Sequence, residues 1–246
     1  MKRGALIAAG IAAFLVFMIA MVPASQLARR MPAGVVMSGA SGTIWSGRAR
    51  ALAVNGRPFG GIAWSCSPWR LLVLHWSCHV TLTPAGGDVS GDLSGGFGNE
   101  VSGEAIRGRL PIRMFEGLVT PHGWTGDLEL DLSEIRIVQQ RPAAASGTLY
   151  VRNLRAPGAN GQALGDFELV VGEGTVGSNA LNGRLRDLGG PLHVRGAVEL
   201  GQDGHYLLSG EAAPGPGASP AIFDTLGFLG SPDSQGRRPF TIEGRL

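Results

Sequence analysis

Apolar and polar residues alternate along most of the chain after residue 40. In the stretch from Trp124 to Leu132, Leu128, Leu130 and Leu132 fall at every second position, with Asp127, Glu129 and Asp131 between them. Period two collects the leucines on one face of a strand, whereas helical spacing would scatter them around the axis. Gly165 to Val171 repeats the pattern with Phe167, Leu169 and Val171. Leu192, Val194, Val198 and Leu200 do so again, interrupted by Gly196, and Phe240 and Ile242 run toward Leu246. Between such runs lie turn signals: Asn55-Gly56, Gly86-Gly87, Asn160-Gly161, Asn182-Gly183, Gly189-Gly190 and the hairpin signal Asp203-Gly204. The stretch from Gly91 to Gly98 reads as a further glycine-rich loop. Many short strands punctuated this way predict an all-β meander, as a curved, mostly antiparallel sheet or an open barrel or sandwich.

Helix signals are few. Ser219 suits an N-cap, Pro220 a first turn and Gly230 a stop, so one short helix is predicted over about 220–229. Its Ile222, Phe223, Leu226 and Leu229 share a face that should dock on the sheet. Leu110 to Glu116 predicts a turn or two more. Ser41-Gly42-Thr43-Ile44-Trp45 and Ser146-Gly147-Thr148-Leu149-Tyr150 read as similar strand openings, too loosely matched for a repeat architecture.

The N-terminus follows another pattern. Lys2 and Arg3 precede an uncharged run of 18 residues, Ala5 to Val22, followed by Pro23 and Arg29-Arg30. That is near the shortest helix able to cross a bilayer about 30 Å thick. It also exceeds the apolar core of about 7–15 residues in a cleaved signal peptide, the competing reading. Residues 1–30 are therefore expected to be an uncleaved single-pass anchor with its short flank, and 31–246 a β-rich domain outside the cytoplasm.

Composition changes this picture little. Among 246 residues there are 40 glycines and 15 prolines, but the hydrophobic share of 44% and its alternation argue against disorder. The net charge of +2, with arginines spread singly, provides no basic field for nucleic acid. Cys66 and Cys78 are the only cysteines and flank a turn-like break at Ser67-Pro68-Trp69-Arg70. In an oxidising compartment a disulfide between them is the favoured reading, with unpaired buried thiols the alternative. His75 and His79 nearby match no four-ligand zinc pattern. Trp64, Trp69 and Trp76 surround the cysteines, either as core packing or as a partner surface.

Catalytic chemistry finds no foothold. His75, His79, His122, His193 and His205 lack sequence-recognisable partners, and His193 alternates against Leu192 and Val194 as a solvent-side residue. A nucleophile elbow does not occur, and the acids at 127, 129 and 131 read as a solvated face. No catalytic, cofactor-binding or metal-binding residue is expected.

Four stretches nevertheless carry a resemblance. Ser41 to Ala49, with Gly42, Trp45, Gly47 and Arg48, resembles the first signature of the type II secretion system protein N family. Trp64 to Leu72, with Pro68, resembles the second; Asp187 to Leu200, with Gly190, Pro191 and Leu192, and then Tyr206 resemble the third. Leu226-Gly227, Pro232-Asp233 and Gly236-Arg237 resemble the C-terminal signature. The cysteine pair is not part of that pattern. The resemblance implies a non-enzymatic, single-pass inner-membrane protein with its bulk in the periplasm. It would be an accessory subunit of the type II secretion platform, bound to other platform subunits and supporting export of folded proteins across the outer membrane. A rival arises because similar strand openings occur in periplasmic sheets folded into lipid-carrying grooves. That reading predicts an inner face lined by Leu128, Leu130, Phe167 and Leu169, able to hold an acyl chain.

Overall fold

The computed structural model describes residues 21–246, apart from 30, 32–33, 70–74, 97–98, 118–121, 140, 159–160, 173–179, 202 and 246. Before residue 21 it describes only positions 10, 14, 17 and 18. The predicted anchor thus lies largely outside the described residues. Gly10, Phe14, Phe17 and Met18 are helical, and Phe14, Phe17 and Met18 are exposed. Among the described residues no helix is long and apolar enough to cross a membrane, a statement that does not bear on β-barrels.

A short helix, α1 (Ala24–Arg29), is followed by β1 (Val35–Ser38), β2 (Ser41–Gly42), β3 (Ser46–Val54), β4 (Arg57–Cys66), β5 (Trp76–Thr83) and β6 (Asp88–Gly95). The long strands β7 (Glu100–Pro111), β8 (Thr125–Val138) and β9 (Arg141–Arg155) come next. Then follow β10 (Ala163–Val171), β11 (Ala180–Asp187), β12 (Leu192–Gly201), β13 (His205–Pro214), helix α2 (Pro220–Gly227) and β14 (Arg238–Arg245). The fourteen strands of the described residues form an open antiparallel sheet in sequence order, with β2 pairing β3 beside the main path. The all-β class and the antiparallel pairing follow the alternation, the late helix follows its capping signals, and the strand path runs open from β1 to β14.

The chain divides into two compact units, Met1–Ala85 with Asp92–Phe97, and Gly86–Gly91 with Gly98–Leu246. In the first unit the core is Ala24, Ala49 and Trp64, packed by Met37, Ala40, Ile62, Cys66 and Val80. In the second the core is Phe167, Val194 and Ala212 from the sheet and Ile222 and Leu226 from α2. Ile112, in a short 3-10 turn at Ile112–Phe115, is buried as well.

Three local expectations are corrected. The Gly91 to Gly98 stretch is mostly strand, not loop, since β6 runs to Gly95. A Cβ on Gly95 would come 2.7 Å from the Trp76 ring, so glycine there marks a close approach by a neighbouring side chain. Asn182-Gly183 lies inside β11 rather than in a turn: a Cβ on Gly183 would sit 3.0 Å from Leu169 Cδ1. Ser146-Gly147 is mid-strand in β9, at a register shift opposite Leu132 and Glu134, and opens no strand.

Candidate functional site

In the second unit the alternation sorts side chains onto two unlike faces. Register places Leu128 opposite Val151 and Val151 opposite Phe167. One step along, Leu130 faces Leu149, Leu149 faces Leu169, and Leu169 faces Leu185. These residues share one face, because directly opposed residues of antiparallel strands point the same way. Leu128, Leu130 and Leu169 are half-buried, whereas Phe167 is 7% exposed and belongs to the packed core.

Helix α2 covers part of this face. Ile222 and Leu226 press onto Phe167, Val194 and Ala212, with Leu164, Leu192 and Phe240 around them. Ser219 precedes the helix, and its Oγ accepts a hydrogen bond from Gln162 Nε2. Beside the helix lies a cleft of about 680 Å³, lined by Leu154, Leu185, Leu208, Leu226, Leu229 and Ile242 among others. Such a volume and such walls are within the ordinary range of ligand sites.

The opposite face is a ladder of charge. Arg107 pairs with Asp131 at 2.9 Å, Arg109 pairs with Glu129, and Arg152 reaches both Glu129 and Asp166 at 3.3 Å. Arg152 also lies over the Tyr150 ring, 4.8 Å from its centre. Arg186 pairs with Glu168, which is 6% exposed. Hydrogen bonding from Arg109 holds the Glu129 carboxyl below its usual range, and Arg186 does the same for Glu168. Burial pushes the Asp187 carboxyl up, but the His193 ring at 2.8 Å and the N–H groups of Val194 and Gly189 outweigh it, so the net shift is downward. The acids at 129 and 131, read from sequence as merely solvated, are therefore ion-paired. Their arginine partners stand on neighbouring strands 20 or more positions away in sequence, beyond the reach of any local pattern.

The signature residues fall into two groups. In the first unit, Ser41 faces Arg48 and Gly42 faces Gly47, so the segment is a tight hairpin between β2 and β3. Thr43 Oγ1 accepts the Trp45 and Ser46 amides at 3.3 and 3.1 Å. Trp64, 7% exposed, donates its indole N–H to the carbonyls of Thr43 and Ile44 at 3.3 and 3.1 Å. Gly47 has to be glycine for this arrangement: its Cβ would sit 2.5 Å from the Trp64 ring. Gly42, Trp45, Gly47, Arg48 and Trp64 thus form one hairpin-and-indole assembly. Cys66 and Cys78 are directly opposed on β4 and β5, Cα atoms 3.9 Å apart, and bridged. Pro68 is exposed beyond them, Trp69 is 76% exposed, and Leu72 lies outside the described residues.

In the second unit, Gly190 and Pro191 turn the chain into β12, where the Pro191 carbonyl accepts the Gly215 amide at 2.9 Å and Leu192 lines the cleft. The Tyr206 ring lies over Gly244, and Gly236 closes a turn held by Asp233, whose Oδ1 accepts the Gln235 and Arg237 amides at 2.8 Å. These residues shape turns and packing; none aims a reactive group into the cleft.

The site therefore defines an all-β protein with a two-faced sheet, one face ion-paired and the other apolar and partly covered by a helix. The chain belongs to the type II secretion system protein N family. The family profile described as "Type II secretion system (T2SS), protein N" matches residues 33–241. Type II secretion system protein N of Aeromonas hydrophila is 29% identical over 263 residues, covering 100% of both chains. The protein of that name from Pectobacterium carotovorum subsp. carotovorum is 25% identical over 261 residues, covering 95% of this chain and 94% of the relative. No solved structure matches.

Proposed function

We propose that this chain is an accessory subunit of the type II secretion inner-membrane platform and supports export of folded periplasmic proteins across the outer membrane. Residues 5–22 would span the inner membrane, residues 1–30 serve as anchor and flank, and residues 31–246 stand in the periplasm. The observation that carries this reading is the family match across residues 33–241, with relatives aligned over nearly their whole length. The structure fits a binding role rather than catalysis, because the signature residues hold turns and packing while many of the polar-face charges are spent on cross-strand pairs. Its partners would be other platform subunits. The test is cross-linking of the tagged chain in its own membranes, followed by mass spectrometry of what is captured. Enrichment of platform subunits supports the assembly role; their absence, with platform abundance unchanged on deletion, removes it.

A second reading, binding or carriage of lipid acyl chains, is favoured by the apolar cleft beside α2.

A further inference from the structure

Resting on that second reading, we propose that the cleft takes a single-chain anionic amphiphile of the fatty-acid type, its chain along the β10–β14 face and its head at Arg238. The apolar face is interrupted at β14 by one cation. Register sets Arg238 opposite Ala212 and Ala212 opposite Val194, both members of the core beneath α2. Arg238 therefore shares the face of Phe240 and Ile242, which line the cleft. Its Nη1 lies 3.8 Å from where a side chain on Gly227, the last residue of α2, would begin. Leu226, one residue earlier, is a cleft wall.

Several arginines of the opposite face are engaged by carboxylates: Arg107, Arg109 and Arg186 pair with one each, and Arg152 with two. Among the described residues, no carboxylate within salt-bridge distance pairs with Arg238. A half-buried guanidinium on an apolar surface favours an anion, and its planar fork suits a carboxylate in particular. The charge thus selects the head, and the cleft walls select the tail. Each methylene fully buried there raises affinity roughly fourfold. A peptide segment is the less fitting occupant, since the cleft walls offer few partners for its backbone N–H and C=O groups.

The experiment uses the full chain in phosphatidylcholine nanodiscs, with a diazirine-bearing hexadecanoic acid as photolabel and peptide mapping of the products. Labelling is expected on cleft peptides, with hexadecanoic acid competing roughly tenfold better than hexadecanol, as a charge-assisted head contact implies. Arg238→Gln should erase that preference while leaving competition by the alcohol unchanged, an outcome that loss of a helix-end contact alone would not produce. Leu208→Trp, which fills the cleft from a half-buried position, should reduce labelling by acid and alcohol probes alike. Equal competition by acid and alcohol in the unaltered chain overturns the assignment of Arg238 but leaves the cleft as an acyl site. Labelling outside the cleft, or indifference to Leu208→Trp, overturns the lipid reading itself.

Discussion

Trp64 shows how much one side chain can organise. Its ring fills the space that the missing Cβ of Gly47 leaves, and its N–H serves two carbonyls of the β2–β3 turn. Trp64→Ala should remove about 3–5 kcal/mol of stability, the usual cost of truncating a buried aromatic. Trp64→Phe should cost less, since it keeps much of the ring and loses the hydrogen bonds. Urea unfolding followed through amide exchange of the β3 and β4 peptides would read the first unit specifically. Removing the bridge by Cys78→Ala should cost on the order of 3 kcal/mol for a loop of this length. Mass shift on alkylation before and after reduction checks that the bond exists in the protein from its own compartment; full labelling without reduction would sink it. The three tryptophans were visible together in sequence, yet their roles differ: Trp64 is 7% exposed and Trp69 76%. No local pattern separates them, because the hairpin that buries Trp64 lies about twenty positions upstream.

At the level of elements, α2 was legible because its signals are local: Pro220 at the start, Gly230 with φ of 95° past the end, and apolar residues at helical spacing. Leu226→Ala should cost about 2–5 kcal/mol and loosen the helix from Phe167 and Val194. Amide exchange should then rise in α2 before it rises in β8. Strands interrupted by glycine were harder to read. Asn-Gly at 182–183 has the chemistry of a turn, but pairing of β11 with both β10 and β12 overrides that local preference. The charge ladder of β7–β11 has a pH consequence. Glu129 and Glu168 have folded-state values below their unfolded ones, so the stability they add is present above the unfolded value near pH 4 and is lost as pH falls through the folded values. The melting temperature should therefore be little affected by these pairs between pH 5 and pH 8, and should fall below roughly pH 4. Glu168→Gln should flatten part of that decline, because a neutral amide gains no proton there. An unchanged acid limb would remove the Arg186 pair from the account.

For the whole molecule, the open strand order matters most. The path begins at β1 and ends at β14, so the outer backbone groups of β14 face no strand among those described. An unpaired edge of eight residues is a template for strand addition. β14 carries its proline, Pro239, and its charged residues Arg238, Glu243 and Arg245 toward its two ends, which leaves Phe240, Thr241 and Ile242 as the stretch open to pairing. If platform subunits dock by adding a strand, a photo-crosslinking residue at Thr241 should capture them, whereas one at Phe228, 91% exposed on the turn after α2, should not. Thr241→Pro should cut that capture several-fold with little loss of fold, because proline in an edge strand removes a ladder donor at modest structural cost when its N–H faces outward. Equal capture from both positions would place docking elsewhere on the surface. Capture from Thr241 that survives the proline would mean side-chain contact rather than strand pairing. The sequence alternation predicted strands but could not rank them from centre to edge, since edge status is a property of pairing. That makes β14 the place where the structure adds most to a secretion role otherwise inferred from kinship.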